Sequence, residues 1–131
     1  MDVAKESIDL GLIVRNMDAC RRFYGETLGL PFEGEMPLGG AGRMYRYLIG
    51  TTVLKLLTAD EQTPAGPSGM RAQTGLRYFT ISVPDIEAAV ERVREQGIEP
   101  SLPIREIRPG VRIAMLTDPD GNTVELLENR A

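Results

Sequence analysis

Along residues 7–14 the side chains sort by parity: Leu10, Leu12 and Val14 fall on one side of an extended chain, Asp9, Gly11 and Ile13 on the other. That alternation predicts a half-buried strand. Asn16 then stands as a helix N-cap, Asp18 supplies a first-turn carboxylate, and Met17, Cys20, Phe23, Tyr24 and Leu28 recur at helical spacing before Gly29 ends the run. A short extended piece at 30–32 follows. After the glycine-rich turn at 37–42, residues 43–49 and 52–57 read as two strands of a hairpin joined through Gly50 and Thr51. The first half of the chain therefore predicts β-α-β-β-β.

Residues 59–75 carry turn formers without apolar periodicity and read as a linker. Beyond it the pattern restarts. Tyr78, Thr80 and Ser82 face one side of a strand and Phe79, Ile81 and Val83 the other. Asp85 then caps a helix bearing Ile86, Ala89, Val90 and Val93 that stops at Gly97. An extended piece at 98–102 and two strands at 111–117 and 123–128 complete the half. The last two are linked by the turn signal Asp118-Pro119-Asp120-Gly121-Asn122. From Asp9 to Tyr78 and from Asn16 to Asp85 the offset is 69 residues, and from Lys55 to Glu125 it is 70. A constant offset with one order of elements implies an internal duplication. The expectation is an α+β fold of two tandem βαβββ modules, at about 7–58 and 76–129, forming a curved mixed sheet around a central cavity within a single domain.

Strand parity says which face each module turns towards that cavity. The apolar rows, Leu10/Leu12/Val14 and Phe79/Ile81/Val83, belong beneath the helices, leaving the mixed rows to line the trough. On those residues the chain resembles a known family. The opening IDLGLIVRNMDACRRFYGETLGL is similar to that of the vicinal oxygen chelate superfamily, and LTDPDGNTVELLE resembles its closing hairpin. That superfamily includes glyoxalase I, methylmalonyl-CoA epimerase, extradiol dioxygenases, fosfomycin-resistance enzymes and bleomycin-binding proteins.

The resemblance implies four chelate positions, one on the first and one on the last strand of each module, typically His or Gln, Glu, His and Glu. Here they fall on Asp9, Lys55, Tyr78 and Glu125. Only Glu125 matches. The chain has no histidine at all, and Lys55 offers an ammonium without a lone pair that repels a nearby cation. No metal and no other cofactor is expected at these positions. Lys55, standing between Asp9 and Glu125, is instead a built-in cation. With the Tyr78 hydroxyl it would donate to a carbonyl or enolate oxygen while Asp9 or Glu125 acts as base, its pKa raised by burial beside like charge. The structural alternative is a salt-bridged plug of Asp9, Lys55 and Glu125, with Tyr78 filling space. Arg43, Tyr45, Arg46, Tyr47, Arg108 and Arg112 are candidate anchors for an anionic or aromatic ligand, with surface charge as the alternative. Met36, Met44, Met70 and Met115 are candidates for an adaptable apolar wall, with core packing as theirs.

Composition narrows the partners. At 131 residues, with 42% hydrophobic and 26% charged residues, the chain suits one compact domain. A net charge of −4 without a run of Lys and Arg argues against nucleic acid. No apolar run reaches the roughly 20 residues of a membrane-spanning helix. Lone Cys20 excludes an internal disulfide, and the N-terminus lacks a signal-peptide layout, so the protein is expected in the cytoplasm. The predicted partner is a small molecule, and the protein is expected to form a homodimer, with exchange of modules through the linker geometrically reasonable. Three functions stay open: binding or sequestering a small organic ligand; metal-independent proton transfer of the isomerase or lyase type through Lys55, Tyr78, Asp9 and Glu125; and a glyoxalase- or dioxygenase-like metalloenzyme with displaced ligands.

Overall fold

The computed structural model describes residues 1–131. The chain divides into two units, Met1–Ala65 and Gly66–Ala131. The first contains β1 (Leu10–Val14), α1 (Met17–Arg22) continued by a π-helical turn (Phe23–Thr27), β2 (Phe32–Pro37), β3 (Arg43–Ile49) and β4 (Thr52–Thr58). The second contains β5 (Tyr78–Ser82), α2 (Ile86–Glu95), β6 (Leu102–Arg108), β7 (Val111–Thr117) and β8 (Thr123–Asn129). Each unit folds one four-stranded mixed sheet. The orders, β1-β4-β3-β2 and β5-β8-β7-β6, are the same.

The duplication extends to register. In the first unit β1 runs parallel to β4 with Gly11 opposite Lys55, and in the second β5 runs parallel to β8 with Thr80 opposite Glu125. These pairs are related by the offsets of 69 and 70 residues. Parity follows as expected. Val14, Leu54, Leu56 and Tyr47 are buried on the face that carries α1, whereas Gly11 and Ile13 are exposed on the other. In the second unit Ile81, Val124, Leu126, Ala114 and Leu116 are buried with Ile86, Val90 and Val93 of α2. A strand covered by a helix on one face must be apolar at alternate positions, and these strands are.

Helix ends differ between the units. Asp85 caps α2 as its spacing predicts, accepting from the Ala88 N–H at 3.0 Å. Asn16 precedes α1 but makes no capping bond through its side chain; its backbone carbonyl accepts from Cys20 N–H at 2.9 Å. The predicted single helix over 17–28 is α-helical only to Arg22. The wider turn after it buries Phe23, Tyr24 and Thr27. Gly25 lets this turn approach the sheet, since a Cβ there would stand 3.0 Å from Tyr47 Cε1.

Two strands lie elsewhere than the sequence predicts. The extended piece expected at 30–32 is β2 at Phe32–Pro37, and that expected at 98–102 is β6 at Leu102–Arg108. Both are edge strands, mostly exposed and held by one backbone ladder, so they carry little apolar alternation to be read. The expected linker also proves heterogeneous. Its second half belongs to the second unit, where Arg77 Nη2 donates to the carbonyls of Pro67 (2.8 Å) and Gly69 (2.6 Å). This pins residues 67–69 into a strap. No helix is long and apolar enough to cross a membrane.

Candidate functional site

The four chelate-equivalent residues fall in pairs, Asp9 with Lys55 in the first unit and Tyr78 with Glu125 in the second. Lys55 lies opposite Gly11 in the β1/β4 ladder and opposite Arg46 in the β3/β4 ladder, which places it on the helix-free face. Asp9 sits just before β1 and is exposed. Its Oδ1 accepts from Lys5 Nζ at 2.6 Å and from Val53 N–H at 2.9 Å. The Lys5 hydrogen bond, the Val53 N–H and the charge of Lys55 together hold the Asp9 carboxyl below its ordinary pKa. The expectation of a carboxylate raised by burial therefore fails at Asp9, because its neighbours are cations and an N–H donor in open solvent.

In the second unit Glu125 is buried at 9% exposure, and its Oε1 accepts from Thr80 Oγ1 at 2.8 Å. Thr80 is its cross-strand neighbour in the parallel ladder. Tyr78, two residues earlier on the same face, is 46% exposed. The second unit thus presents an open-face carboxylate with one oxygen held, next to an accessible phenol.

Beside Glu125 on that face lies a pocket of about 740 Å³. Its floor is Ile113 and Met115 of β7, with Thr123 of β8 and Leu102 of the edge strand; Met115 is the direct ladder partner of Glu125. The strap contributes Met70 and Arg71, and β6 contributes Arg105. Of the four methionines proposed as an adaptable wall, Met70 and Met115 meet here. Met36 and Met44 instead pair across β2 and β3. Sequence reading missed Thr80 as the partner of Glu125, and missed Arg71 and Arg105. An arginine inside a turn-rich stretch and one on a charged edge strand carry no local pattern that assigns them to a pocket.

Several proposed anchors are placed otherwise. Tyr47 is buried at 3% exposure on the helix side, where its hydroxyl accepts from Arg21 Nε at 3.2 Å. The Arg21 guanidinium lies 4.0 Å from the Tyr45 ring centroid, and its pKa is raised chiefly by the Tyr47 hydroxyl. Arg43 pairs with Glu35 at 3.1 Å and Arg46 with Glu33. Arg112 pairs with Glu87 and Glu128, each at 2.9 Å, across the helix face of the second sheet. These side chains brace the modules. Arg108 is exposed at the end of β6.

A divalent metal would need several convergent donors, and the structure contains no group of three or more His, Cys, Asp or Glu placed to hold one. One Asp9 oxygen is already taken by Lys5 and Val53, Lys55 is a cation, and only Glu125 retains a ligand of the usual kind. The residues present do not fit the chelate.

Residues 8–126 match the family described as Glyoxalase/Bleomycin resistance protein/Dioxygenase superfamily. Among solved structures, a glyoxalase family protein from Enterococcus faecalis is 28% identical with a TM-score of 0.71, over 97% of each chain. TnmS3, an antibiotic binding protein from Streptomyces sp. CB03234, shares the fold with a TM-score of 0.69 at 24% identity, over 98% of this chain and 99% of that one. Lactoylglutathione lyase from Agrobacterium tumefaciens shares it with a TM-score of 0.68 at 20% identity, over 96% and 95%. No curated protein matches the sequence.

Proposed function

Since the chain belongs to the Glyoxalase/Bleomycin resistance protein/Dioxygenase superfamily, we propose that it binds or sequesters a small organic ligand on the helix-free faces of its sheets, without a chelated metal. The observation that carries this reading is the pocket of about 740 Å³ on the open face of β7 and β8, floored by apolar side chains. Its volume lies in the range of about 300–1,000 Å³ typical of small-molecule sites. A protein of the same fold, TnmS3, is an antibiotic binding protein. In this reading Tyr78 and Glu125 face a ligand held on the second unit, and Asp9 and Lys55 one held on the first, with Lys55 supplying positive charge where the family resemblance implies a metal ligand. The protein is cytoplasmic and a homodimer.

A second reading is favoured by one feature. Glu125 is buried, yet only its Oε1 is engaged, by Thr80. A carboxylate so placed can take a proton from a bound ligand, with Tyr78 of the same unit donating to the oxygen that gains charge. That would make the protein a metal-independent isomerase or lyase.

The test is a thermal-shift screen of small metabolites and aromatic antibiotics, with and without divalent metals, repeated on Lys55→Ala. A ligand at 100 times its Kd stabilises the native state by about 2.7 kcal/mol, a shift of several degrees. Organic compounds should raise Tm in metal-free buffer. Stabilisation by metal alone would overturn the reading. Product formation from any hit, abolished in Glu125→Gln with binding retained, would select the enzyme over the binding protein.

A further inference from the structure

The charged side chains that line the pocket in the second unit are both cationic, and the carboxylate beside it, Glu125 next to Met115, is engaged through Oε1 by Thr80. Arg71 and Arg105 both line it, and no aspartate or glutamate does, in a chain whose net charge is −4. Three other arginines of this unit are matched to carboxylates: Arg94 to Glu99, Arg112 to Glu87 and Glu128, and Arg130 to Glu128. Arg71 and Arg105 have no ion pair or side-chain hydrogen bond. Two unmatched guanidiniums beside an apolar floor are a recognition pattern, because a guanidinium forks onto a carboxylate while the floor removes a hydrocarbon body from water.

The strap keeps Arg71 near the sheet. Arg77 ties the backbone at Pro67 and Gly69, and Ser68 abuts Gly121 in the β7–β8 turn, where a Cβ would stand 2.1 Å from the Ser68 hydroxyl oxygen and 3.2 Å from its Cβ. Arg105 is fixed from the other side by the ladder that pairs it with Ile113, itself a floor residue. Met70 and Met115 add side chains that adapt to the shape of a hydrocarbon group.

We propose that this pocket selects a small organic anion with an apolar body, its charge held by Arg71 and Arg105 and its body laid on Leu102, Ile113 and Met115. The assignment rests on the reading that the open face binds a small organic ligand, and adds the chemical class.

Titration calorimetry on the full chain with two matched probes, 1-naphthoate and its neutral isostere 1-naphthamide, tests it. Naphthoate should bind about tenfold more tightly or better, the contrast made by hydrogen bonds to a charged group. In Arg71→Ala/Arg105→Ala that preference should collapse towards one while naphthamide affinity holds. Arg108→Ala, outside the pocket, should keep it. Equal binding of both probes, preference for naphthamide, or a preference that survives the double substitution overturns the anion assignment and leaves small-molecule binding standing. Failure of both probes while neutral compounds stabilise the protein in the thermal screen does the same. Failure of both probes and of the whole screen overturns the binding function as well.

Discussion

Two glutamates three positions apart on β8 show how much one residue's setting decides. Glu125 and Glu128 differ in parity and so lie on opposite faces of the same sheet. Glu125 meets Thr80 on the open face. Glu128, only 1% exposed, meets Arg112 at 2.9 Å, Arg130 at 3.0 Å and the backbone N–H of Ile86 at 2.9 Å, the first residue of α2. The Ile86 hydrogen bond leads in holding the Glu128 carboxyl below its ordinary pKa, with Arg112 and Arg130 adding to it and burial opposing. A carboxylate depressed in the native state contributes stability that is present above the unfolded pKa of about 4.3 and is lost as pH falls below it towards the native value. Glu128→Gln should therefore lower Tm at pH 7. The gap from wild type should close as melts are taken from pH 5 down to pH 2. A gap that stays constant with pH would show that Glu128 contributes through shape and not through charge.

At the scale of elements, turns and caps repay separate measurement. Asp85 is the side-chain cap of α2, and Asp85→Ala should cost about 1 kcal/mol, read as a lowered urea midpoint with unchanged slope. The β7–β8 turn is organised by buried Asp118. Its Oδ1 accepts from the N–H groups of Asp120 (2.9 Å) and Asn122 (2.8 Å), and its Oδ2 accepts from Asn122 Nδ2 (2.9 Å). Gly121 within it has φ of 90° and lies against Ser68 of the strap. Gly121→Ala should cost roughly 1–3 kcal/mol through the positive φ alone, and should also free the strap. Hydrogen exchange at 67–71 should rise in this variant beyond what the global loss of stability explains. The turn's existence was plain from Asp-Pro-Asp-Gly-Asn. That a segment some fifty residues earlier packs on it was not, because turn chemistry is local and the Ser68 contact is tertiary.

For the molecule as a whole, duplication is the organising fact, and it is carried by equal strand orders and by the equivalent pairs Gly11–Lys55 and Thr80–Glu125. The copies have diverged in polarity. The pair that is Thr80 and a buried glutamate in one unit is a glycine and a lysine in the other. Both β1 and β5 are edge strands, and large apolar residues on or beside them, Ile8, Ile13, Leu76 and Tyr78, are exposed. Such edges are commonly covered by a second chain. Light scattering after size exclusion should give about twice the mass of one chain, and Ile13→Lys should lower it. A monomer at micromolar concentration would contradict the proposed homodimer.

The sequence by itself determined the repeat, the helix positions, the central strands and the faces of β1 and β5, because apolar periodicity and turn residues are recorded along the chain and a one-residue slip would expose a whole apolar row. It also showed that three of the four positions the family resemblance implies for a chelate carry other residues, since this is a matter of residue type. The extent of the edge strands was only partly legible, since they are held by backbone hydrogen bonds and not by an apolar face. Only the tertiary structure decided which of many arginines stand without a carboxylate, which methionines share a pocket, and that Asp9 is occupied by Lys5 and Val53 whereas Glu125 is held by Thr80 alone. Charge partners and pocket walls are set by proximity in space, and nothing in the spacing along the chain encodes them.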